Sequence, residues 1–139
     1  MKTKNIFLSL TTLVMLLFTA CNSEEQNTKQ TSTSTSNADV SIEVIQFHSE
    51  HRCMTCNKIE ELTRETLKGY SDIPFSLVNV DDKKNEKKAE EFEAAGTALF
   101  LYNPKTGKKK DLTDFAFMNA GDKEKFTEGL KMEIEQFEN

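Results

Sequence analysis

Val40, Ile42 and Val44 alternate with polar residues, and Ile45 and Phe47 then make the run apolar on both faces. That pattern predicts a strand from Val40 to Phe47, half-buried at its start and fully buried at its end. From Asn57 to Lys68 the period changes. Ile59, Leu62 and Leu67 fall on one stripe of a helix, and Gly69 is placed to cap its C-terminus. Phe75 to Val80 is a second strand, with Pro74 at its head, where a missing N–H does little harm, and Asp81-Asp82 closing it. Lys84 to Ala95 predicts a charged helix facing inward through Ala89, Phe92 and Ala95, stopped by Gly96. Ala98 to Tyr102 is a third strand. Asn103 to Gly107 is a turn, and Lys108 to Leu112 is its returning partner. Asp122 is placed to cap a last helix whose inward face is Phe126, Leu130, Ile134 and Phe137.

The predicted order is β-α-β-α-β-β-α. The first two β-α steps call for parallel strands joined by right-handed crossovers, and the later hairpin is antiparallel. The fold class is therefore α/β, a central mixed sheet flanked by helices. No internal repeat is visible.

The chemistry sits at the first strand-to-helix junction. Cys53-Met54-Thr55-Cys56 follows the first strand and heads the first helix. A thiolate at a helix start faces the unpaired N–H groups of the first turn, which stabilise the anion and make it nucleophilic near neutral pH. A second cysteine one turn along can resolve a mixed disulfide formed at the first. The expected roles are Cys53 as nucleophile and Cys56 as resolving thiol. Arg52 adds a positive charge beside Cys53, and His51 adds another when protonated. A static structural bridge is the plainer alternative, but closing so short a loop removes only about 2 kcal/mol of unfolded-state freedom. A different reading uses the same residues as ligands. His48, His51, Cys53 and Cys56 lie close in sequence, and such a set suits Cu(I), Zn(II) or As(III). Otherwise no cofactor is expected beyond the redox-active disulfide itself.

The N-terminal third reads differently. Lys2 and Lys4 precede an apolar run from Ile6 to Ala20, which at 15 residues falls short of the roughly 20 that span a bilayer. Residues 1–20 therefore read as a signal peptide. Leu17-Phe18-Thr19-Ala20-Cys21 resembles a bacterial lipobox, with Phe18 where Leu is usual. It implies lipidation of Cys21 and a membrane anchor. Residues 21–38 are polar and include the low-complexity run Thr31 to Ser36, a composition expected to form a disordered tether. Residues 39–139 are left as one small domain. The chain is 139 residues long with net charge −5, and losing Lys2 and Lys4 with the leader takes it to −7. Lys108 to Lys110 is the one basic run, suited to a solvated turn or strand edge, and nothing resembles a nucleic-acid surface. The expectation is an exported cell-envelope lipoprotein, on the periplasmic side or cell surface. It would be monomeric and act on a protein thiol or disulfide partner.

The element order with Cys53 and Cys56 resembles the thioredoxin superfamily over residues 40 to 139. More narrowly, Phe47-His48-Ser49-Glu50-His51-Arg52-Cys53-Met54-Thr55-Cys56 and Asp111 to Phe117 resemble small bacterial thioredoxin-like proteins. These are often labelled nitrophenyl-compound nitroreductase subunit, ArsF family. The resemblance implies redox association; nothing in the sequence resembles a flavin site. Two departures stand out. Thioredoxins place a substrate-docking cis-proline before the third strand, and here Gly96-Thr97-Ala98 stands there. Thr97 is expected to be trans, since a non-proline cis bond costs about 3 kcal/mol. Thioredoxins also often bury an acid before the matching Phe. The residue here is Gln46, which cannot ionise and so cannot take the proton of Cys56. The chain also has no Trp. Phe115 to Met118 is expected to pack in the core; beside the cysteines it would offer a dry contact for a partner.

Overall fold

The computed structural model describes residues 41–139. The expected signal peptide, Cys21, the expected tether and Val40 lie outside them. The chain runs through β1 (Glu43–His48), α1 (Met54–Leu67), β2 (Phe75–Asn79) and α2 (Glu86–Glu91). It continues through β3 (Ala98–Tyr102), β4 (Lys109–Asp111), α3 (Thr113–Asn119) and α4 (Lys123–Glu138). A 3-10 turn at Lys83–Asn85 leads into α2.

The four strands form one mixed sheet in the order β2-β1-β3-β4. β1 pairs parallel with β2, setting Phe47 opposite Val78, and antiparallel with β3, setting Phe47 opposite Ala98. The expected parallel course after the second β-α step is therefore corrected: β3 runs against β1. A parallel return needs a crossover of a dozen or more residues, usually helical. The connection between Asn79 and Ala98 is long enough for one, but its α-helix has only six residues, about 9 Å of rise, and does not carry the chain back along the sheet. β4 is the edge next to β3, so the lysine run does lie on a strand edge.

β1 is central because it is apolar on both sides. Val44 joins the core under α1 and α4 with Ile59, Leu62, Phe126 and Ile134. Ile45 and Phe47 point the other way, into a second core with Val78, Phe92 and Phe100. The alternation is the period-2 geometry of a strand. The inward face expected for α4 is the one buried, and Asp122 accepts the Lys125 N–H at 3.1 Å as its cap. Asn103 shapes the β3–β4 turn by accepting from Lys105 and Thr106 N–H, and Gly107 takes the left-handed φ of 73° that this turn needs.

Three helices differ from expectation. α1 begins at Met54, because the cysteines belong to its first turn. It ends without a left-handed Gly69; Lys68, Gly69 and Tyr70 close it with bonds reaching back three residues. α2 ends at Glu91, well before Gly96. Glu93 N–H reaches the Glu90 carbonyl and Ala94 N–H reaches that of Ala89, a Schellman closure with Glu93 at φ 53° where glycine is usual. The third difference is α3, which the apolar pattern did not predict. Of Phe115 to Met118 only Ala116 is buried, because a helix turns each successive residue away from the one before. The expected core role therefore holds for Ala116, with Phe115 packed against the core margin; Phe117 and Met118 face outward. Phe115 fits against α4 at Gly129, where a Cβ would run into its ring.

Candidate functional site

The loop from His48 to Arg52 carries the chain from the end of β1 to the head of α1. Glu50 N–H bonds Asp81 Oδ2 at 2.8 Å, tying the loop to the end of β2, and Ser49 Oγ donates to the His51 carbonyl at 3.2 Å. His48 Nδ1 donates to the neighbouring Ser49 carbonyl at 3.0 Å, and His51 is exposed.

Cys53 is the N-cap residue of α1, with extended backbone (φ −76°, ψ 163°). Its Sγ accepts the Cys56 N–H at 3.1 Å, one of the donors that a helix start leaves without an intrahelical partner. The two sulfurs are bonded to each other, with Cα atoms 5.1 Å apart. The two residues differ sharply in access. Cys53 is exposed, whereas Cys56 is only 6 % exposed, turned toward the sheet. Beneath it Gln46, fully buried on β1, donates its Nε2–H to the Cys56 carbonyl at 3.0 Å.

Arg52 is half-buried and directed along α1, not simply at the cysteines. Its Nη1 meets Glu60 Oε2 at 2.5 Å, and Arg64 Nε meets the other carboxylate oxygen at 2.8 Å. Burial works against ionisation of Glu60, but hydrogen bonds from Arg64 and Arg52 outweigh it and hold the carboxyl below its usual range. The field of Arg52 at Cys53 is thus partly offset by a carboxylate that the sequence reading did not include. The Glu60–Arg64 half of this network is a helical i,i+4 pair and could have been seen in the sequence. The Arg52–Glu60 half reaches across the helix cap and carries no sequence signal.

Thr97 stands immediately before Ala98, which pairs with Phe47 near the end of β1, and no peptide bond among the described residues is cis. Among the described residues, no group of three or more His, Cys, Asp and Glu side chains is gathered as a metal site would be. The ligand set proposed from sequence is not assembled: the sulfurs bond each other, and His48 Nδ1 faces a carbonyl.

A shallow groove opens beside the cysteines, lined by Met54, Thr55, Lys58, Phe117, Ala120 and Gly121. Met54 is 89 % exposed and Phe117 42 %. α3 therefore brings an aromatic side chain to the residue following Cys53, the placement that the sequence reading tied to a partner contact.

No family model matches the chain, and no curated protein matches it. Solved structures similar to it include thioredoxin O2 from Arabidopsis thaliana in its oxidized state. That match has 19% identity and a TM-score of 0.43, over 52% of this chain and 61% of that one. Fasciola hepatica thioredoxin is 23% identical, with a TM-score of 0.42, over 52% of this chain and 65% of that one. Chlamydomonas reinhardtii thioredoxin f2 is 20% identical, with a TM-score of 0.44, over 60% of this chain and 81% of that one. The chain spans less than two thirds of the length of the first two. The topology itself is more telling. A parallel β1–β2 pair, an antiparallel β3–β4 hairpin beside it and a Cys-x-x-Cys capping the helix after β1 together make the described domain a thioredoxin-like fold.

Proposed function

We propose that the protein is a membrane-anchored thiol–disulfide oxidoreductase, in which Cys53 is the exchanging sulfur and Cys56 the resolving one. One observation carries the reading: an exposed helix-capping sulfur is bonded to a buried one a single turn along. A partner thiolate can reach Cys53 Sγ in line with the Cys53–Cys56 bond. Attack forms a mixed disulfide and expels the Cys56 sulfur, which takes a proton. The partner's second thiol then attacks its own sulfur in that bond and releases Cys53 as a thiolate at the helix start. In sum, the partner dithiol becomes a disulfide and the domain takes up two electrons and one proton, at Cys56; a second proton is taken up only when the Cys53 thiolate is itself protonated. The reverse sequence reduces a partner disulfide. Arg52 and a protonated His51 add positive charge near the departing thiolate, and Thr97 borders the place where partner backbone would lie. No cofactor beyond the cysteines is needed.

The partner is a protein thiol or disulfide. A chain joined covalently to Cys53 must cross the adjoining residues, so its flanking segment would touch Met54 and Phe117. The test uses the anaerobically reduced domain. It should turn over a small aromatic disulfide and a protein disulfide, with Phe117→Asp slowing only the protein reaction. A domain that leaves both disulfides intact but holds one equivalent of Cu(I), Zn(II) or As(III) against a chelator would overturn the reading.

The anchor belongs to the same proposal, with the ArsF-type resemblance as its narrower kinship. Lipidated Cys21 would place the domain in the cell envelope, on the outer side of a membrane. No helix among the described residues is long and apolar enough to cross one. The membrane-extracted protein should begin at Cys21 with acyl mass added, and Cys21→Ser should release or misprocess it. An unmodified N-terminus elsewhere would remove the anchor from the proposal.

A further inference from the structure

Gln46 occupies the middle of the central strand and is fully buried, a position where Leu or Met would carry no polar atoms. Its donor end is satisfied, since Nε2–H bonds the Cys56 carbonyl at 3.0 Å. Its acceptor end is not: Oε1 is buried with no hydrogen-bond partner. An unpaired buried amide oxygen costs roughly as much as a lost hydrogen bond, so its presence against the redox pair asks for a state in which it is paired. The bonded state seen here is the one in which Cys56 has no S–H to give.

We propose that Gln46 Oε1 accepts the S–H of Cys56 in the dithiol form, so that Gln46 sets the balance between disulfide and dithiol. This rests on the exchange reading above. On reduction by a partner dithiol the S–S bond breaks, each sulfur gains an electron, and the partner becomes a disulfide. The proton arriving at Cys56 stays on sulfur and is shared with Oε1, because an amide oxygen accepts a hydrogen bond without taking the proton. The contact therefore favours the dithiol without adding a titrating group. The Nε2 bond to the Cys56 carbonyl is made in both forms and cancels from their difference. Oε1 is unpaired in one form and paired in the other. Removing it relieves the disulfide and weakens the dithiol, two effects with the same sign.

The test is the equilibrium of the domain with reduced and oxidised glutathione. Gln46→Met, close in shape and without polar atoms, should shift the constant about three- to tenfold toward the disulfide, the worth of one buried hydrogen bond. Gln46→Glu should restore a near wild-type constant at low pH, where the protonated acid both donates and accepts, and should add a pH dependence above its titration. A strut that only holds Cys56 in place would lower stability in both redox forms and leave the constant unmoved. One measurement needs no variant: the Gln46 Cδ carbon resonance of the wild-type domain should move on reduction. A Met constant within twofold of wild type, or a Cδ resonance identical in the two forms, overturns the proposal. A wild-type domain that never equilibrates with glutathione overturns the exchange reading along with it.

Discussion

Cys53→Ser is expected to abolish disulfide exchange, and Cys56→Ser to stall it at a mixed disulfide. The asymmetry follows from access and from hydrogen bonding. Cys53 is exposed and its Sγ already accepts the Cys56 N–H at 3.1 Å. A thiolate in that position accepts more strongly than a bonded sulfur, because charge-assisted hydrogen bonds are roughly twice as strong as neutral ones. The helix start adds its own favourable field. Cys56 is 6 % exposed and tied through its carbonyl to Gln46, so no large partner reaches its sulfur. In the reduced protein, iodoacetamide at neutral pH should modify Cys53 about tenfold faster than Cys56, or more, reflecting exposure and thiolate fraction. Peptide mass mapping reads the two sites separately. With Cys56→Ser no internal thiol remains to break the mixed disulfide, and the adduct should survive on a non-reducing gel until a thiol is added. Equal, slow labelling of both cysteines, with no adduct from Cys56→Ser, would remove the assignment.

Phe47→Ala should cost about 3–5 kcal/mol of stability, a large part of what a small domain has. Phe47 is fully buried on the central strand, against Phe92 at 5.3 Å and edge-on to Phe100 at 5.8 Å between ring centroids. Phe92 in turn meets Phe100 and Tyr102, both at 5.2 Å, and Lys109 Nζ lies 4.7 Å above its ring. Removing Phe47 leaves a cavity against the rings of Phe92 and Phe100 that the rigid sheet cannot close. It also loses the tilted contact with Phe92 and the edge-on contact with Phe100, which add to the burial itself. Phe47→Leu keeps most of the volume and should cost roughly 1 kcal/mol. Urea unfolding at constant redox state measures both. A loss below about 1 kcal/mol for the alanine variant would show that this face of the sheet re-forms without its central ring.

What could be read from the sequence was local. The strand period of Ile42 to Phe47, the turn chemistry of Asn103 to Gly107, and the cap and stripe of α4 each follow from neighbours a few residues apart. The cysteine pair at a strand-to-helix junction was legible for the same reason. What escaped depends on contacts between elements. The direction of β3 is decided by how little of the preceding segment is helix, and Glu93 in a left-handed turn ends α2 where nothing in its side chain announces it. α3 begins at Thr113 under a Leu112 with no side-chain cap, and four successive apolar residues hide its period. Glu60 under Arg52 is met only across the cap of α1, and Gln46 under Cys56 only once α1 is laid on β1.

The fold joins residues far apart in the chain, whereas its sulfur bond joins near neighbours. In β1, Phe47 finds Val78 on one side and Ala98 on the other, partners that meet only after long loops have closed. Cys53 and Cys56 are three positions apart, near each other in any conformation of the chain. Non-local strand pairing is the slow part of assembling such a topology. Forming the four-residue ring does not wait for it and does little to hasten it. Oxidation and folding are therefore separable in time, and a chain that folds before its cysteines meet an oxidant reaches the same architecture as one oxidised first.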